Sequence, residues 1–327
     1  MNKQVLIYLA YPQESLDVVE QECKKRGYRP IRISPNDQEG RAKAIALLPQ
    51  VDIAFIGSPL PLQNLESSSA KWIHFDWVGV EGQLSTKLLE NHVVTNGSGR
   101  NSICLAEHVF FFIFSLAYGV REILASQHQA KWKVGHQNPY ESLYGKTIMI
   151  LGTGSIGMEV ARRAHAFGMH TIGYARRRKL DEEQVLDEQY VSPEGLVGIE
   201  RADFIVNCLS CNNETYHLMN AKMFQRMKKS AYFINISRGA VVDEKALIEA
   251  LQAKQIAGAA SDVFEQEPLP EESPLWHLDN MLITPHHSPQ SPLKFEIGVQ
   301  TILTNLAQYE CGGKLKNQQT EKDVVNH

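Results

Sequence analysis

The feature that most constrains this chain is GTGSIG, Gly152 to Gly157. It follows the apolar run Thr147–Leu151 directly and leads into a segment with Ile156, Val160, Ala161, Ala164 and Phe167 on one helical face. A strand, a glycine turn and a helix in that order raise G-x-G-x-x-G above a chance match. Gly152 allows the tight turn, Gly154 lets backbone N–H groups approach a pyrophosphate, and Gly157 permits close packing of helix on strand. Ser155 and Ile156 open the helix, whose positive end suits phosphates. The alternative is a glycine-rich turn that binds nothing, and the flanking strand and helix argue against it.

A dinucleotide reading needs room for a full domain, and 327 residues with 43% hydrophobic content suffice for about two domains. Lys and Arg number 33 against 37 Asp and Glu, a net charge of −4, so the electrostatic attraction that nucleic-acid binders rely on is missing and no nucleic-acid partner is expected. Five cysteines form no disulfide framework and point to a reducing cytoplasm. Cys208 and Cys211 make a C-x-x-C with no second pair, so no metal site is expected. The apolar runs Val5–Ala10 and Val109–Val120 fall short of a signal core and of the about 20 residues of a membrane span. A cytoplasmic protein without a membrane partner is the expectation.

Along the chain, QVLIYLA reads as a strand and Gln13–Arg26 as a helix with Leu16, Val19 and Cys23 inward, closed by Gly27. Val51–Gly57, Trp72–Phe75 and His92–Asn96 continue the rhythm of an α/β unit with a parallel sheet. From Ile103 a long apolar stretch, AEHVFFFIFSLAYGVREILAS, reads as one helix crossing between domains. After a polar stretch near Gly135–Ser142 come six candidate strands, KTIMILG, TIGYA, DFIVNCL, AYFINIS, IAGAASDVF and MLITP, enough for a complete Rossmann-type domain. The tail from Gly312 is polar and expected to fray. No internal repeat is visible.

TIGYA ends at Ala175 and is followed by Arg176, Arg177, Arg178 and Lys179, with no carboxylate before Asp181. This is the place, about 20 residues past the glycines, where an acidic residue would hold the ribose 2′-hydroxyl of NAD. Four adjacent cations are ordinarily a solvated face. Here a 2′-phosphate explains them better, so NADP(H) is the preferred cofactor, with NAD(H) possible.

Three later segments carry polar residues at strand ends, where ligands of doubly wound sheets gather. They are FINISRGAVVDE with Arg238, GAASDVFEQEPLP with Asp262 and Glu267, and LITPHHSP with His286. Reducing a 2-keto acid needs a cation that grips the carboxylate and polarises the ketone, and an acid that protonates the new alkoxide. The arginine fork of Arg238 suits the first task and the imidazole of His286 the second. A carboxylate such as Glu267 beside the ring would fix its tautomer and keep it protonated. Each residue alone has an ordinary structural reading. Together, downstream of a nucleotide motif, they are hard to set aside.

These segments resemble the D-isomer-specific 2-hydroxyacid dehydrogenases, over about Val51 to Ser291, most specifically in GTGSIG, INISRGAVVDE, ASDVFEQEPLP and SPLWHLDNMLITPHH. The resemblance implies a two-domain α/β protein. Residues 101–291 would be the Rossmann-type dinucleotide-binding domain, and 1–100 with 292–327 a flavodoxin-like substrate-binding lid, with the active site in the cleft. It implies that Arg238 binds substrate, that Glu267 orients His286, and that His286 is the proton donor. It also places Asp262 near the nicotinamide, with Leu209, Ser210, Thr215 and Ile236 beside the glycine loop, Arg176 and Arg177 in the cofactor site. The loop WVGVEG resembles one whose backbone N–H groups hold the substrate carboxylate, pointing to Val78 and Gly79. Members of this family are usually homodimers through the cofactor domain, with Ala106–Trp132 at the interface.

Three departures from the family pattern bear on which substrate fits: VEG in that loop, a charged Arg100 in SGRN at the lid hinge, and Pro289 in HHSPQS. The leading reading is an NADPH-dependent reductase of small 2-keto acids such as glyoxylate, hydroxypyruvate or pyruvate, yielding the D-2-hydroxy acid. The alternatives are a reductase of bulkier aromatic or branched keto acids, and a cofactor-sensing binding protein or corepressor on the same fold.

Overall fold

The computed structural model describes residues 3–132, 141–178, 181, 183–192, 195–288, 290–321 and 324. Lys179, Pro289 and most of the polar stretch from Gly135 lie outside the described residues. The chain divides into two compact units, one formed from both ends of the sequence up to Asn101 and from Pro292 on, the other from Ser102 to Ser291.

The first unit carries five parallel strands, β1 (Gln4–Tyr8), β2 (Arg29–Arg32), β3 (Ile53–Ile56), β4 (Trp72–Phe75) and β5 (Val93–Asn96), in the order β2-β1-β3-β4-β5. This is the flavodoxin-like order. Strands β3 and β4 are buried along their whole length because helices cover both faces, which is why β3 reads as an unbroken apolar run and β4 as one interrupted only by His74. On one face Leu6, Tyr8, Ala54 and Phe75 pack with Ala44 of α2 (Gln38–Leu47) and Leu88 of α4 (Thr86–Asn91), past the short α3 (Leu62–Glu66). On the other, Ile7, Phe55 and Trp72 meet Leu16 and Val19 of α1 (Gln13–Lys25) and Ile302 and Leu306 of the C-terminal helix Leu293–Glu310.

Two expectations for this unit need correcting. Strand β2, RPIR, went unread because an edge strand with no fully buried residue leaves no apolar pattern. The tail does not fray after Gly312: Leu315 is only 4% exposed, Gln318 pairs antiparallel with Thr95, and the Gln319 N–H donates to the Val94 carbonyl at 2.8 Å. Polar composition misled here because side-chain amides, not apolar contacts, do much of the ordering.

The second unit holds seven parallel strands: β6 (Thr147–Leu151), β7 (His170–Ala175), β8 (Glu188–Val191), β9 (Phe204–Asn207), β10 (Tyr232–Asn235), β11 (Gly258–Ser261) and β12 (Met281–Ile283). Their order is β12-β11-β10-β9-β6-β7-β8, the doubly wound arrangement whose direction of winding reverses between β6 and β9. On one face α5 (Ser102–Ala117) packs against α7 (Ser155–Ala166), joining Val109, Phe112 and Ile113 to Ile148, Val160 and Ala164. The opposite face gathers Leu151, Phe233, Phe224 of α8 (Ala221–Arg226) and Leu247 of α9 (Glu244–Gln252).

Here too the structure departs from the reading. A seventh strand, β8, is half-buried at the sheet edge and showed no apolar run. The long apolar stretch is two helices, α5 and α6 (Val120–His128), bent by 65°. Gly119 makes the break by adopting φ 61°, a left-handed conformation that ends α5. Phe167 lies just past α7 and is 42% exposed rather than buried with the helix's inner face, its ring tilted against Phe110 at 5.2 Å between centroids. Among the described residues no single helix is long and apolar enough to cross a membrane.

Candidate active site

The glycine loop starts where β6 ends. Gly152 has φ 98°, and a Cβ there would lie 2.8 Å from the Cys208 carbonyl oxygen. At Gly157 a Cβ would fall 2.0 Å from the Gly152 oxygen, so helix and loop touch backbone to backbone. Gly154 differs: nothing in the protein lies within 4 Å of where its Cβ would be. Internal packing therefore does not demand a glycine at 154. It leaves an open approach to the first turn of α7, whose N-cap supplies no side-chain acceptor. Thr153 adds a buried hydroxyl that finds no hydrogen-bond partner among the described residues. A pyrophosphate fits this cradle, with Ser155 and Ile156 as the first residues of the helix.

Arg176, Arg177 and Arg178 follow β7 and are all exposed. Arg178 donates to the Gln189 carbonyl at 3.3 Å, whereas Arg176 and Arg177 have no ion-pair partner among the described residues. Leu209 and Ser210 lie in the loop after β9, where the Leu209 carbonyl accepts from Ser237 Oγ at 2.6 Å and the Ser210 carbonyl from Thr215 Oγ1 at 2.7 Å. Thr215 and Ile236 are buried, so their side chains shape this edge from beneath.

Three neighbouring strands, β10, β11 and β12, bring the polar segments to one edge of the sheet. Arg238 follows β10, is exposed, and is steadied by a 2.8 Å bond from its Nη1 to the Ser237 carbonyl. Glu267 follows β11 and His286 follows β12; His286 Nδ1 lies 2.8 Å from Glu267 Oε2. The other carboxylate oxygen, Oε1, accepts the Phe264 N–H at 3.0 Å, which fixes the carboxylate. Nδ1 is thus committed to Glu267, and Nε2 is the ring nitrogen that this contact leaves available. His286 holds φ 51°, a strained backbone for a residue with a side chain.

Asp262 keeps that strained segment in place. Fully buried, it accepts the Thr284 hydroxyl and the His287 N–H through Oδ1 and the Ser288 N–H at 3.0 Å through Oδ2, and its carbonyl accepts the His286 N–H at 2.9 Å. Burial works against its charge, but the bonds from Ser288, Thr284 and the loop backbone outweigh it and hold the carboxyl below its ordinary range. His108, on α5, extends the network, with Nε2 3.0 Å from Thr284 Oγ1. Burial pushes His108 down, against the opposing pull of Asp262. Sequence reasoning missed His108 and Thr284; the available signal was a lone histidine on an otherwise apolar helix.

In the first unit, the loop with Val78 and Gly79 follows β4, and the Val78 carbonyl accepts Asn96 Nδ2 at 2.9 Å. Arg100 is engaged by Asp76, which also accepts the Tyr11 hydroxyl. Gly298 makes room for this group, since a Cβ there would overlap the Tyr11 oxygen. Arg100 is thus a charge already paired. His74, buried on β4, is pushed down to about 3 by burial and the Arg100 charge, and stays neutral.

The family model for the NAD binding domain of D-isomer specific 2-hydroxyacid dehydrogenases matches residues 110–288. The chain is also 34% identical over 295 residues to a glyoxylate/hydroxypyruvate reductase B of Klebsiella pneumoniae, covering 88% of each protein. This protein belongs to the D-isomer specific 2-hydroxyacid dehydrogenases. A glyoxylate reductase of Korarchaeum cryptofilum is 38% identical to this dehydrogenase over 223 residues, 67% of this chain and 66% of that protein. Among solved structures, a D-isomer specific 2-hydroxyacid dehydrogenase family protein of Aeromonas salmonicida superposes with TM-score 0.78 at 28% identity, covering 98% of this chain and 99% of that one. A relative from Xanthobacter autotrophicus, solved with NADPH and MES, gives TM-score 0.79 at 25% identity over 98% of both chains. The dehydrogenase is therefore an oxidoreductase with an NAD(P)-binding domain in its second unit.

Proposed function

We propose that this dehydrogenase reduces a small 2-keto acid of the glyoxylate, hydroxypyruvate or pyruvate class to the D-2-hydroxy acid, with NADPH as the preferred reductant. The observation that carries the reading is the Glu267–His286 pair, one strand away from the Arg238 segment and on the same sheet edge as the glycine cradle. In this reading Arg238 grips the substrate carboxylate through its planar fork and draws electron density from the ketone. In the first unit, the loop at Val78 and Gly79 offers backbone N–H groups to a keto-acid carboxylate. A bound nicotinamide cofactor supplies the hydride. Glu267 holds the His286 ring and stabilises its charge, and His286 delivers the proton to the ketone oxygen. Asp262 maintains the segment that presents His286. A panel of 2-keto acids assayed by NADPH and NADH oxidation tests the reading; absence of turnover with every small 2-keto acid would overturn it.

Two features favour NADPH. Ala175 leaves the end of β7 without a carboxylate, and Arg176 and Arg177 are cations without ion-pair partners among the described residues. Charge-assisted bonds to a 2′-phosphate contribute about 1.5–3 kcal/mol each, roughly ten-fold or more in affinity. The expected result is a higher kcat/KM with NADPH than with NADH in the wild type, and a preference reduced about ten-fold in Arg176→Ala. Equal kcat/KM for both cofactors in the wild type would return the arginines to a solvated face.

The same reading makes the protein a homodimer through its second unit. Phe111, Leu124 and Trp132 are 51%, 50% and 92% exposed and line a groove of about 1910 Å³. Apolar residues this exposed and contiguous mark an interface more often than free surface. Sedimentation is expected to give a dimer mass, and Leu124→Glu to shift it toward monomer; a monomeric wild type would refute the assignment.

A further inference from the structure

We propose that Asn317 is a positioning residue for substrate, fastening the C-terminal tail to the segment Asn96–Ser98 and through it setting the loop Trp77–Gly79. The inference rests on the function proposed above, which gives that loop the substrate carboxylate. Asn317 sits at φ 60°, a left-handed conformation that asparagine tolerates better than most residues. From there its side-chain amide donates to the Ser98 carbonyl at 2.6 Å and to the Asn96 carbonyl at 3.2 Å. Its own carbonyl accepts the Asn96 N–H at 3.2 Å. One residue thus holds the segment at three points.

What Asn317 holds is in turn tied to the loop. Asn96 Nδ2 donates to the Val78 carbonyl at 2.9 Å, and the Gly97 N–H to the Trp77 carbonyl at 3.1 Å. A Cβ on Gly97 would come within 3.0 Å of the Asp76 carbonyl carbon, so the two backbones are in contact with no slack between them. The tail itself is anchored from the far side. Buried Asn305 receives the Lys316 N–H at 2.7 Å and donates to its carbonyl at 3.0 Å, and Leu315 is sunk in the core. A displacement of Asn96–Ser98 therefore carries Trp77 and Val78 with it. These contacts all lie within the first unit, so loosening them alters how the keto acid is held and leaves the glycine loop and the arginines after β7 untouched.

The test compares full-length wild type with Asn317→Gly and Asn317→Asp. Glycine keeps the left-handed backbone and deletes the amide; aspartate keeps the shape and sets an anion against two carbonyls. The expected result for Asn317→Gly is a KM for glyoxylate raised about five-fold, more in Asn317→Asp, with KM for NADPH unchanged within about two-fold. Hydrogen exchange is expected to quicken in peptides spanning Asp76–Val80 and Val93–Ser98. An unchanged KM for the keto acid in both folded variants, or unchanged exchange in those peptides, would overturn the proposal. So would an equal rise in both KM values, the mark of general loosening. A wild type that turns over no 2-keto acid would instead overturn the functional reading, and the exchange measurement then decides the contact by itself.

Discussion

Replacing His286 by asparagine is expected to lower kcat by about 10²- to 10⁴-fold, the usual contribution of a positioned general acid, while leaving the affinity for NADPH nearly unchanged. Asparagine is the informative choice because the backbone at 286 is left-handed, with φ 51°, and asparagine accepts that conformation. Its amide can also replace Nδ1 as donor to Glu267, so the carboxylate is not abandoned. The variant should fold and retain the Asp262 bonds to the backbone of residues 286–288, losing only the group that exchanges a proton. Steady-state kinetics and a fluorescence titration with NADPH measure the two halves. A kcat near that of wild type would remove His286 from the mechanism.

Gly239→Ala should be nearly as damaging, for a steric reason. A Cβ at 239 would lie 1.9 Å from the Phe264 carbonyl carbon, 2.0 Å from its oxygen and 2.3 Å from the Glu265 nitrogen, all backbone atoms that cannot rotate aside. Arg238 precedes this glycine, and the Phe264 N–H holds Glu267, so the added methyl would push apart the segments carrying the proposed substrate cation and the partner of His286. Overpacking of this kind costs about 1–3 kcal/mol or more, and a misplacement of about 1 Å in a catalytic group can cost on the order of 10²-fold. The expectation is a loss of at least about 100-fold in kcat/KM together with a fall in Tm. Full activity with an unchanged Tm would show that the two strand ends can part without consequence.

How far the sequence revealed this depends on which interaction shapes each part. A buried strand such as β3 announces itself because every side chain is apolar, while the edge strands RPIR and EQYV hold their places through backbone pairing that leaves no apolar trace. The break between α5 and α6 rests on the conformation of one residue, Gly119, within a stretch whose composition is otherwise that of one long helix. The glycine loop was legible because its spacing, strand and helix are all local. The Asp262–Thr284–His108 network was not, since hydrogen bonds between distant segments have no periodicity. Gly239 could have been suspected from its place directly after Arg238 at a strand end, although the reason for it, contact with Phe264, lies outside the motif.

That the first unit is assembled from both ends of the chain has a consequence for how it comes to be folded. One face of its sheet is covered by residues separated by the whole of the second unit: Ile7, Phe55 and Trp72 on the early side, Val299, Ile302 and Leu306 on the late side, with Trp72 and Tyr309 at 5.3 Å between ring centroids. On the ribosome the early strands emerge first with only α1 to cover part of that face until the last helix is made, whereas the second unit has all its strands as soon as β12 has left the tunnel. The nascent chain therefore passes through a state in which the second unit has all its strands while one face of the N-terminal sheet is covered only by α1. Slowing the synthesis of Leu293–Glu310 would lengthen the time for which the apolar surface destined for Val299, Ile302 and Leu306 faces water.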